Sequence, residues 1–416
     1  MSTLLDLKVA MLIQAYHPHV GGAERQLMSL TPLLRERGAD VRVFTRAMPP
    51  APREDVVAGA RVTRLPVPGP KVIASLAYTA GATAAMRAWR PDVIHAHELL
   101  SPTTTAMLAR RLFRVPIVAK VLRGGALGDV TKLQRTATGR RRLAAAVRDV
   151  DAFVVISREI DRELEALGVP ASRRHFVPNG VDTARFAPSP VVRRTVRTRM
   201  GVGLDVPVAV YCGRIASEKR VLELAREWTA MRPSAPPRAL GADRDAGAGE
   251  AAGPEAELWV VGDGPLLDEV RRAAAPSVRI FGPVDRVEEV LAAADLFVLP
   301  SDTEGLSNAM LEAMASGLPV VATAVGAAVE LLADGRSGVL VQVGDIDGVL
   351  EAISGLFGRP GDRHELGTAG RERVRASYDL AATADGLVTL YRALLRGTHP
   401  RATNDRAIRR AERVGP

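Results

Sequence analysis

The chain of 416 residues is 47% hydrophobic and 4% aromatic, contains one cysteine and carries a formal net charge of +9. Its length favours two domains that each fold around their own core, and the lone Cys212 excludes a fold held by internal disulfides. The positive charge suits nucleic acid, an anionic membrane or an acidic ligand. Because the sequence has neither zinc-finger spacing nor an aromatic platform for base stacking, we expect no nucleic-acid partner.

The chain also has no segment typical of secretion or of a membrane span. The N-terminal sequence MSTLLDLKVAMLIQAYHP has no basic segment before its apolar run and no small-residue cleavage site after it, so we interpret it as a first strand. The longest apolar tract, 306–333, contains Glu312, Pro319 and Glu330, which exclude it as a spanning helix. We therefore expect a cytoplasmic protein, and peripheral contact with the cytoplasmic membrane face stays open.

Short β-branched runs alternate with helical stretches along the whole chain. The first series contains KVAMLIQAY, DVRVFT, DVIHAHE and PIVAKVL, and the second contains PVAVYCGR, AELWVVGDG, VRIFGPV, ADLFVLPS and GLPVVAT. Strands that alternate with helices predict an α/β fold with parallel sheets. Since the pattern occurs twice, we expect two Rossmann-like domains that face each other across a cleft.

Proline and composition mark the boundaries of these domains. Three prolines within 178–190 interrupt any long element, so we place the N-terminal domain at 1–187 and the C-terminal domain at 188–396. The last helix is a candidate to pack back on the N-terminal domain. Two segments of biased composition, 232–257 and 397–416, are expected to be disordered.

The stretch SDTEGLSNAMLEAMASGLPVVAT contains two glutamates in an otherwise small and apolar sequence. Glu304 lies in a loop after a predicted strand, and Glu312 lies about one turn into a helix over 308–316 that begins at Ser307 or Asn308. That helix N-terminus can bind an anion, and Glu312 can accept both hydroxyls of a vicinal diol such as ribose. Glu304 can accept hydrogen bonds from hydroxyls of the group that is attached beyond the phosphates. The alternative is a pair of surface glutamates, although the apolar neighbours of Glu312 imply partners.

The loop after PVAVYCG supplies two cations, Arg214 and Lys219, which suit phosphate oxygens or, alternatively, are solvated charges. In GDGP, Gly262 and Gly264 permit a tight turn after a strand.

The first half shows a similar pattern. Gly21 and Gly22 follow the first strand and begin a helix, which suits a phosphate or sugar contact or a loop with unusual backbone angles. His95 and His97 are two residues apart, so in a strand their side chains point to the same face of the sheet. They are either core histidines or a functional pair such as part of a metal site. We favour His97 as the residue that faces the cleft, because it is nearer the carboxyl end of the strand.

Together these motifs resemble glycosyltransferase family 4, retaining enzymes of GT-B fold that use nucleotide-diphosphate sugars. The matching segments are YHPHVGGAERQ, VPNGVDTARF, GRIASEK and EGLSNAMLE, and the resemblance spans nearly the whole ordered chain. It implies that Arg214 and Lys219 bind the donor diphosphate, which we expect to be UDP or GDP. It further implies the other contacts to the donor: Glu312 on the ribose, Glu304 and His97 on the transferred sugar, and Gly21, Gly22, Gly262, Gly264, Gly305, Leu306 and Ser307 around the nucleotide sugar.

The resemblance implies no cofactor and no metal, because the two cations and the helix N-terminus can stabilise the leaving diphosphate. Two Asp-x-Asp triplets, 243–245 and 345–347, match a metal motif of some sugar-transferring enzymes. The first falls in the segment expected to be disordered and the second reads as a turn, so we assign neither a metal.

The acceptor is less defined. The segment RGGALGD after PIVAKVL lacks the histidine that many relatives have there, so glycan, glycolipid and small-molecule acceptors all stay open, a lipid-linked one included. Residues 131–150 are rich in arginine and form either a solvated helix face or a contact with anionic lipid. A sugar-nucleotide isomerase or hydrolase on the same fold, and a non-catalytic anion or nucleic-acid binder, are the alternative functions.

Overall fold

A computed structural model describes residues 6–18, 21–228, 255–332 and 334–397 of the chain. The strands are, in chain order, β1 (Leu7–Leu12), β2 (Ala39–Arg46), β3 (Glu54–Val57), β4 (Ala60–Leu65), β5 (Val93–His97), β6 (Ile117–Lys120), β7 (Ala152–Val155), β8 (Arg174–Phe176), β9 (Val208–Cys212), β10 (Glu257–Val261), β11 (Val278–Gly282), β12 (Leu296–Leu299), β13 (Val320–Thr323) and β14 (Gly338–Val341). The helices are α1 (Gly22–Glu36), α2 (Lys71–Trp89), α3 (Ser101–Phe113), α4 (Asp129–Gln134), α5 (Ala137–Asp149), α6 (Arg158–Ala166), α7 (Pro190–Met200), α8 (Val221–Glu227), α9 (Leu267–Ala273), α10 (Val287–Ala293), α11 (Asn308–Ala315), α12 (Ala327–Leu332), α13 (Ile346–Phe357), α14 (Pro360–Ser377) and α15 (Leu380–Leu395).

The chain folds into two compact units. Unit 1 comprises residues 1–180 together with the chain from 377 onward, and unit 2 comprises 181–376. The chain thus leaves unit 1 at Gly180, whereas we expected the boundary after residue 187. The difference arises because Arg371 of unit 2 donates to the carbonyl of Phe186 at 2.9 Å and so ties the proline-rich segment to unit 2.

The last helix belongs to unit 1. Helix α15 packs against α1, and Arg37 at the end of α1 forms an ion pair with Asp385 at 2.5 Å. Most of the two segments expected to be disordered lies outside the described residues, and Glu257 at the end of the first one is already part of β10.

Unit 1 contains a sheet with the order β3-β4-β2-β1-β5-β6-β7-β8. All neighbouring strands in it run parallel except β3 and β4, an antiparallel pair that the sequence patterns did not predict. The chain builds outward from β1 on one side and then returns to place β5 on the other side. The carboxyl ends of β1 and β5 therefore flank a topological switch point, where open parallel sheets bind ligands.

Unit 2 contains an all-parallel sheet with the order β11-β10-β9-β12-β13-β14. The neighbouring central strands β9 and β12 are buried on both faces, as the continuous apolar runs VAVYC and LFVL predict for a parallel sheet covered by helices. Here the chain adds β10 and β11 beside β9 and then returns to place β12 on its other side. The switch point of unit 2 thus lies between β9 and β12. Among the described residues, no helix is long and apolar enough to cross a membrane.

Candidate functional site

Two loops follow the strands at the switch point of unit 2. The cation loop, residues 213–220, follows β9 and contains Arg214 and Lys219, and the glutamate loop, residues 300–307, follows β12 and contains Glu304. Because β9 and β12 are parallel neighbours, their carboxyl ends bring both loops to one edge of the sheet.

Ion pairs join the cation loop to the glutamate loop. The Nζ atom of Lys219 lies 2.5 Å from Oε1 of Glu304, and Nε of Arg220 lies 2.5 Å from Oδ1 of Asp302. The backbone N–H of Asp302 also donates to the carbonyl of Glu218 at 2.8 Å. A 3₁₀ turn at Ser217–Lys219 precedes α8 and carries Lys219, whose ammonium reaches the glutamate loop.

Glu304 is a buried carboxylate with one oxygen committed to the protein. Its Oε1 atom accepts hydrogen bonds from Lys219 and, at 2.8 Å, from the hydroxyl of Ser301. Its Oε2 atom has no hydrogen-bond partner among the described residues. The side chains of Lys219 and Glu304 are only 13% and 9% exposed, so each charge compensates the other in a partly desolvated setting.

Arg214 differs from Lys219 in being exposed and in forming no ion pair within the described part of the chain. Its backbone is nevertheless anchored, because the hydroxyl of buried Tyr211 donates to the Arg214 carbonyl at 2.8 Å. The backbone at Arg214 is therefore fixed near the switch point, and no described residue uses the donors of its exposed guanidinium, as an anion-binding arginine requires.

The glycines of GDGP shape the cation loop. A Cβ atom on Gly262 would lie 1.8 Å from the carbonyl oxygen of Gly213, and one on Gly264 would lie 2.1 Å from that of Ile215. The N–H of Ile215 donates to the carbonyl of Asp263 at 2.8 Å. Only glycine permits this backbone contact, so Gly262 and Gly264 support the loop that carries Arg214, and their contact with the donor stays a prediction.

Helix α11 begins where the sequence placed it. Ser307 is its N-cap, and its hydroxyl accepts from the N–H of Met310 at 3.3 Å. Glu312 is half-buried in the second turn of this helix, and Gly305 and Leu306 are buried just before it. The glutamate loop that carries Glu304 therefore leads from β12 directly into the N-terminus of α11, with Glu312 one turn further along the helix.

In unit 1, Gly21 and Gly22 lie at the start of α1. The N–H of Gly21 donates to Oε2 of Glu24 at 2.9 Å, and a Cβ on Gly21 would lie 2.7 Å from that oxygen. This capping arrangement explains why a residue without a side chain precedes the helix. Contact of either glycine with a sugar or phosphate stays a prediction.

Both histidines of DVIHAHE are buried in β5. Nδ1 of His95 lies 2.6 Å from the hydroxyl of Tyr391 on α15, which anchors this ring in the core, while its Nε2 is buried without a hydrogen-bond partner among the described residues. The ring of His97 stacks on that of His95 at 4.7 Å, and its Nε2 atom is buried without a hydrogen-bond partner among the described residues. Burial and then the charge of Lys120 lower the pKa of His97 to about 3, so the ring is neutral at physiological pH.

Two residues close to His97 were not among the candidates predicted from the sequence. Glu98 adopts a left-handed conformation with φ of 83°, and its Oε2 accepts from Nε2 of Gln14 at 2.5 Å, across the switch point between β1 and β5. Burial and the nearby Asp129 raise the pKa of Glu98 to about 7. The second neighbour is Lys120, a buried lysine at the end of β6. The available signal was that Glu98 ends the run DVIHAHE and that Lys120 is a charged residue near the end of the apolar run PIVAKVL.

The described residues contain no group of His, Cys, Asp and Glu that could hold a metal ion. The triplet 243–245 lies outside them. In the triplet 345–347, Asp345 is the N-cap of α13 and accepts from the N–H of Gly348 at 2.8 Å, so its side chain has a structural use.

The basic segment 131–150 contains the end of α4 and all of α5, and its arginines differ in exposure. The guanidinium of Arg142 donates to the hydroxyl of Thr104 on α3 at 2.7 and 3.1 Å, and burial lowers its pKa. Arg140 and Arg141 are exposed.

Comparison with known proteins shows which family the chain belongs to. Residues 21–180 match the family described as glycosyl transferase 4-like domain, and residues 206–359 match glycosyl transferases group 1. The chain is 32% identical over 400 residues to D-inositol 3-phosphate glycosyltransferase of Geodermatophilus obscurus, which covers 90% of this chain and 85% of that protein. It is also 32% identical over 237 residues to the GDP-mannose-dependent alpha-(1-6)-phosphatidylinositol monomannoside mannosyltransferase of Mycolicibacterium smegmatis, over 54% of this chain and 57% of that protein.

Among solved structures, sucrose-phosphate synthase of Thermosynechococcus elongatus superposes with a TM-score of 0.76 at 21% identity, covering 94% of this chain and 100% of that one. This likeness confirms the predicted α/β fold with two Rossmann-like domains of GT-B type. With the sequence matches it also confirms the resemblance drawn from the motifs. The chain belongs to the group 1, GT4-like glycosyltransferases, enzymes that transfer a sugar from a nucleotide-sugar donor to an acceptor.

Proposed function

We propose that this glycosyltransferase binds the diphosphate of its donor with Arg214 and Lys219 and transfers the sugar with retention of anomeric configuration. The observation that carries the proposal is the pairing of Lys219 with Glu304 at 2.5 Å at the switch point of unit 2, in the same loop as Arg214, which forms no ion pair with a described residue. Two cations and one oriented carboxylate at the end of parallel strands suit a diphosphate that bears a polar sugar.

The chemistry follows from these groups. When the bond from the anomeric carbon to the phosphate oxygen breaks, its electron pair stays on the diphosphate. Arg214, Lys219 and the N-terminus of α11 stabilise that charge, so a metal is not needed for this step. Glu304 offers Oε2 to a sugar hydroxyl while Lys219 holds Oε1. Glu312 accepts the ribose hydroxyls.

Retention of the anomeric configuration is proposed because the family that the chain resembles consists of retaining enzymes. The acceptor hydroxyl attacks the face of the sugar that the diphosphate leaves, and a phosphate oxygen of the leaving group takes its proton. No carboxylate of the chain is assigned as a covalent nucleophile. His97 contacts the transferred sugar with its neutral ring.

The donor and acceptor are proposed more broadly. UDP and GDP are the expected nucleotides, and a relative named as GDP-mannose-dependent supports the second. The same relative acts on a phosphatidylinositol mannoside, which supports a lipid-linked acceptor and work at the cytoplasmic face of a membrane. Arg140 and Arg141 are proposed to reach anionic lipid there; Lys132, Arg135 and Arg148 of the same segment are exposed as well.

A thermal-shift panel of UDP-, GDP- and ADP-sugars tests the donor site, since a ligand at 100 times its Kd stabilises the native state by about 2.7 kcal/mol. The donor that stabilises the protein is then used for transfer, and NMR of the product reads the anomeric configuration. Inversion would refute the mechanism, and stabilisation by no nucleotide sugar would refute the donor site.

A further inference from the structure

Lys120, the last residue of β6, is a charged side chain in the interior of unit 1. It is 2% exposed. Its Nζ atom donates to Oδ1 of Asn179 at 2.8 Å, and it forms no ion pair with any described residue. Burial alone accounts for the lowering of the Lys120 pKa to about 8, with no carboxylate opposing it. A buried ammonium without a counter-ion costs stability, so a purely structural reason for a lysine here is lacking.

One side of Lys120 faces the histidine proposed to contact the sugar. Lys120 is the register partner of His97 across β5 and β6. Nε2 of both histidines is buried without a hydrogen-bond partner among the described residues, but the hydroxyl of Tyr391 holds the ring of His95 through Nδ1, and no described residue does the same for His97. A neutral imidazole offers one donor and one acceptor nitrogen, and a positive charge beside it disfavours the doubly protonated ring.

The other side of Lys120 holds the crossing segment, residues 177–180, at which the chain leaves unit 1. This segment is tightly packed: a Cβ on Gly180 would lie 2.5 Å from Cα of Leu380. The side-chain amide of Gln26, in its satisfied orientation, bonds both the N–H and the carbonyl of Gly180 at 3.0 Å. Thr383 donates to the carbonyl of Pro178 at 3.2 Å. Lys120 adds the charged contact, from within the sheet.

We propose that Lys120 is a positioning residue for sugar transfer: its ammonium keeps the ring of His97 in place and fixes Asn179 of the crossing segment. The inference rests on the proposed contact between His97 and the sugar. The proposal explains why a buried charge that destabilises the fold is present here: a functional site can retain a destabilising group when the rest of the fold compensates for it. It also adds a cation to the side of the site where the histidine of the following loop is missing.

A structural role and a positioning role predict opposite effects on stability. If Lys120 only supported the fold, its loss would destabilise unit 1. If it is retained for positioning, Lys120→Met removes an uncompensated charge while keeping an unbranched side chain, and the protein should be as stable as the wild type or more so. Lys120→Gln keeps a donor for Asn179 and serves as the second variant should the methionine pack poorly.

The test combines thermal unfolding, calorimetric binding of the free nucleotide diphosphate and steady-state transfer. We expect the Lys120→Met protein to keep or raise its Tm, to bind the nucleotide diphosphate as the wild type does, and to lose kcat by on the order of 10- to 100-fold, as for misplacement of a bound group. In the double variant with His97→Ala, kcat should fall no further than in His97→Ala alone, because both act through one ring.

A lowered Tm in both the methionine and the glutamine variants, an unchanged kcat, or additive losses in the double variant would each overturn the proposal. The variant Lys219→Met distinguishes failure of the proposed role of Lys120 from failure of the proposed donor site. If Lys219→Met leaves nucleotide binding and transfer intact, the proposed function fails, whereas an effect of Lys219→Met together with none of Lys120→Met rejects only the role of Lys120.

Discussion

Replacing Lys219 by methionine should remove two things at once, the proposed ligand for the diphosphate and the partner of a buried carboxylate. Lys219 and Glu304 are 13% and 9% exposed, and Glu304 would retain only the hydroxyl of Ser301 on Oε1. Breaking a buried ion pair by removing one partner costs about 3–5 kcal/mol. For a unit the size of 181–376, that corresponds to a fall in Tm of about 10 °C.

The loss of stability has to be separated from the loss of catalysis. In Lys219→Met with Glu304→Gln, the buried charge disappears together with its partner, and stability should return to near that of the wild type. Transfer should not return, since the cation on the diphosphate is still missing, and its loss lowers kcat by about 10²- to 10³-fold. Arg214→Met is the matched control: it removes a cation that has no ion pair within the described residues, so Tm should hold while kcat falls.

Thermal unfolding and steady-state transfer on the three variants decide the question. The reasoning is refuted if the double variant recovers transfer along with stability, because Lys219 would then act only on the fold. It is also refuted if Lys219→Met alone keeps its Tm, which would show that the pair with Glu304 is not a buried one.

Four further outcomes are expected. Glu312→Gln should weaken calorimetric binding of the free nucleotide diphosphate, whereas Glu304→Gln should bind it almost normally and transfer poorly; equal losses of affinity would remove the distinction between ribose and sugar contacts. Transfer should persist in EDTA, and strict dependence on Mn²⁺ or Mg²⁺ would contradict the absence of a metal from the proposal. Neutralising Arg140 and Arg141 should lower sedimentation with anionic vesicles while Arg142→Ser should not, since Arg142 bonds Thr104; binding unaffected by the first change would exclude this surface. The pKa of Lys120 falls from 10.5 to about 8 on folding, so its buried ammonium destabilises the folded state fully below pH 8 and progressively less towards pH 10.5. The gain in stability from Lys120→Met should therefore shrink over that range. A gain that does not depend on pH would argue against a charged Lys120.

Local patterns were sufficient to predict the elements that carry the proposed donor site. Strand runs bounded by glycine and proline placed β9 and β12, and serine before an apolar run placed the start of α11 at Ser307. These features depend on residues within a few positions of one another, which is the range over which propensity and capping act.

Contacts between distant residues could not be predicted in the same way. The pair Lys219 and Glu304 joins loops 85 residues apart in sequence, and Lys120 meets Asn179 across 59 residues. The direction of Arg142 within RRR depends on where α3 lies. The exit from unit 1 at Gly180 depends on its packing against the start of α15, near the far end of the chain.

The central claim is that the cation loop of unit 2 binds the diphosphate of the donor, and calorimetric titration of wild-type protein and Arg214→Met with UDP and with GDP tests it most directly. The account predicts that the wild type binds at least one of the two nucleotides, and that Arg214→Met, equally stable, binds the same nucleotide at least about tenfold more weakly, a difference of about 1.4 kcal/mol. Equal affinity of the two proteins, or binding of neither nucleotide by the wild type, would contradict the claim.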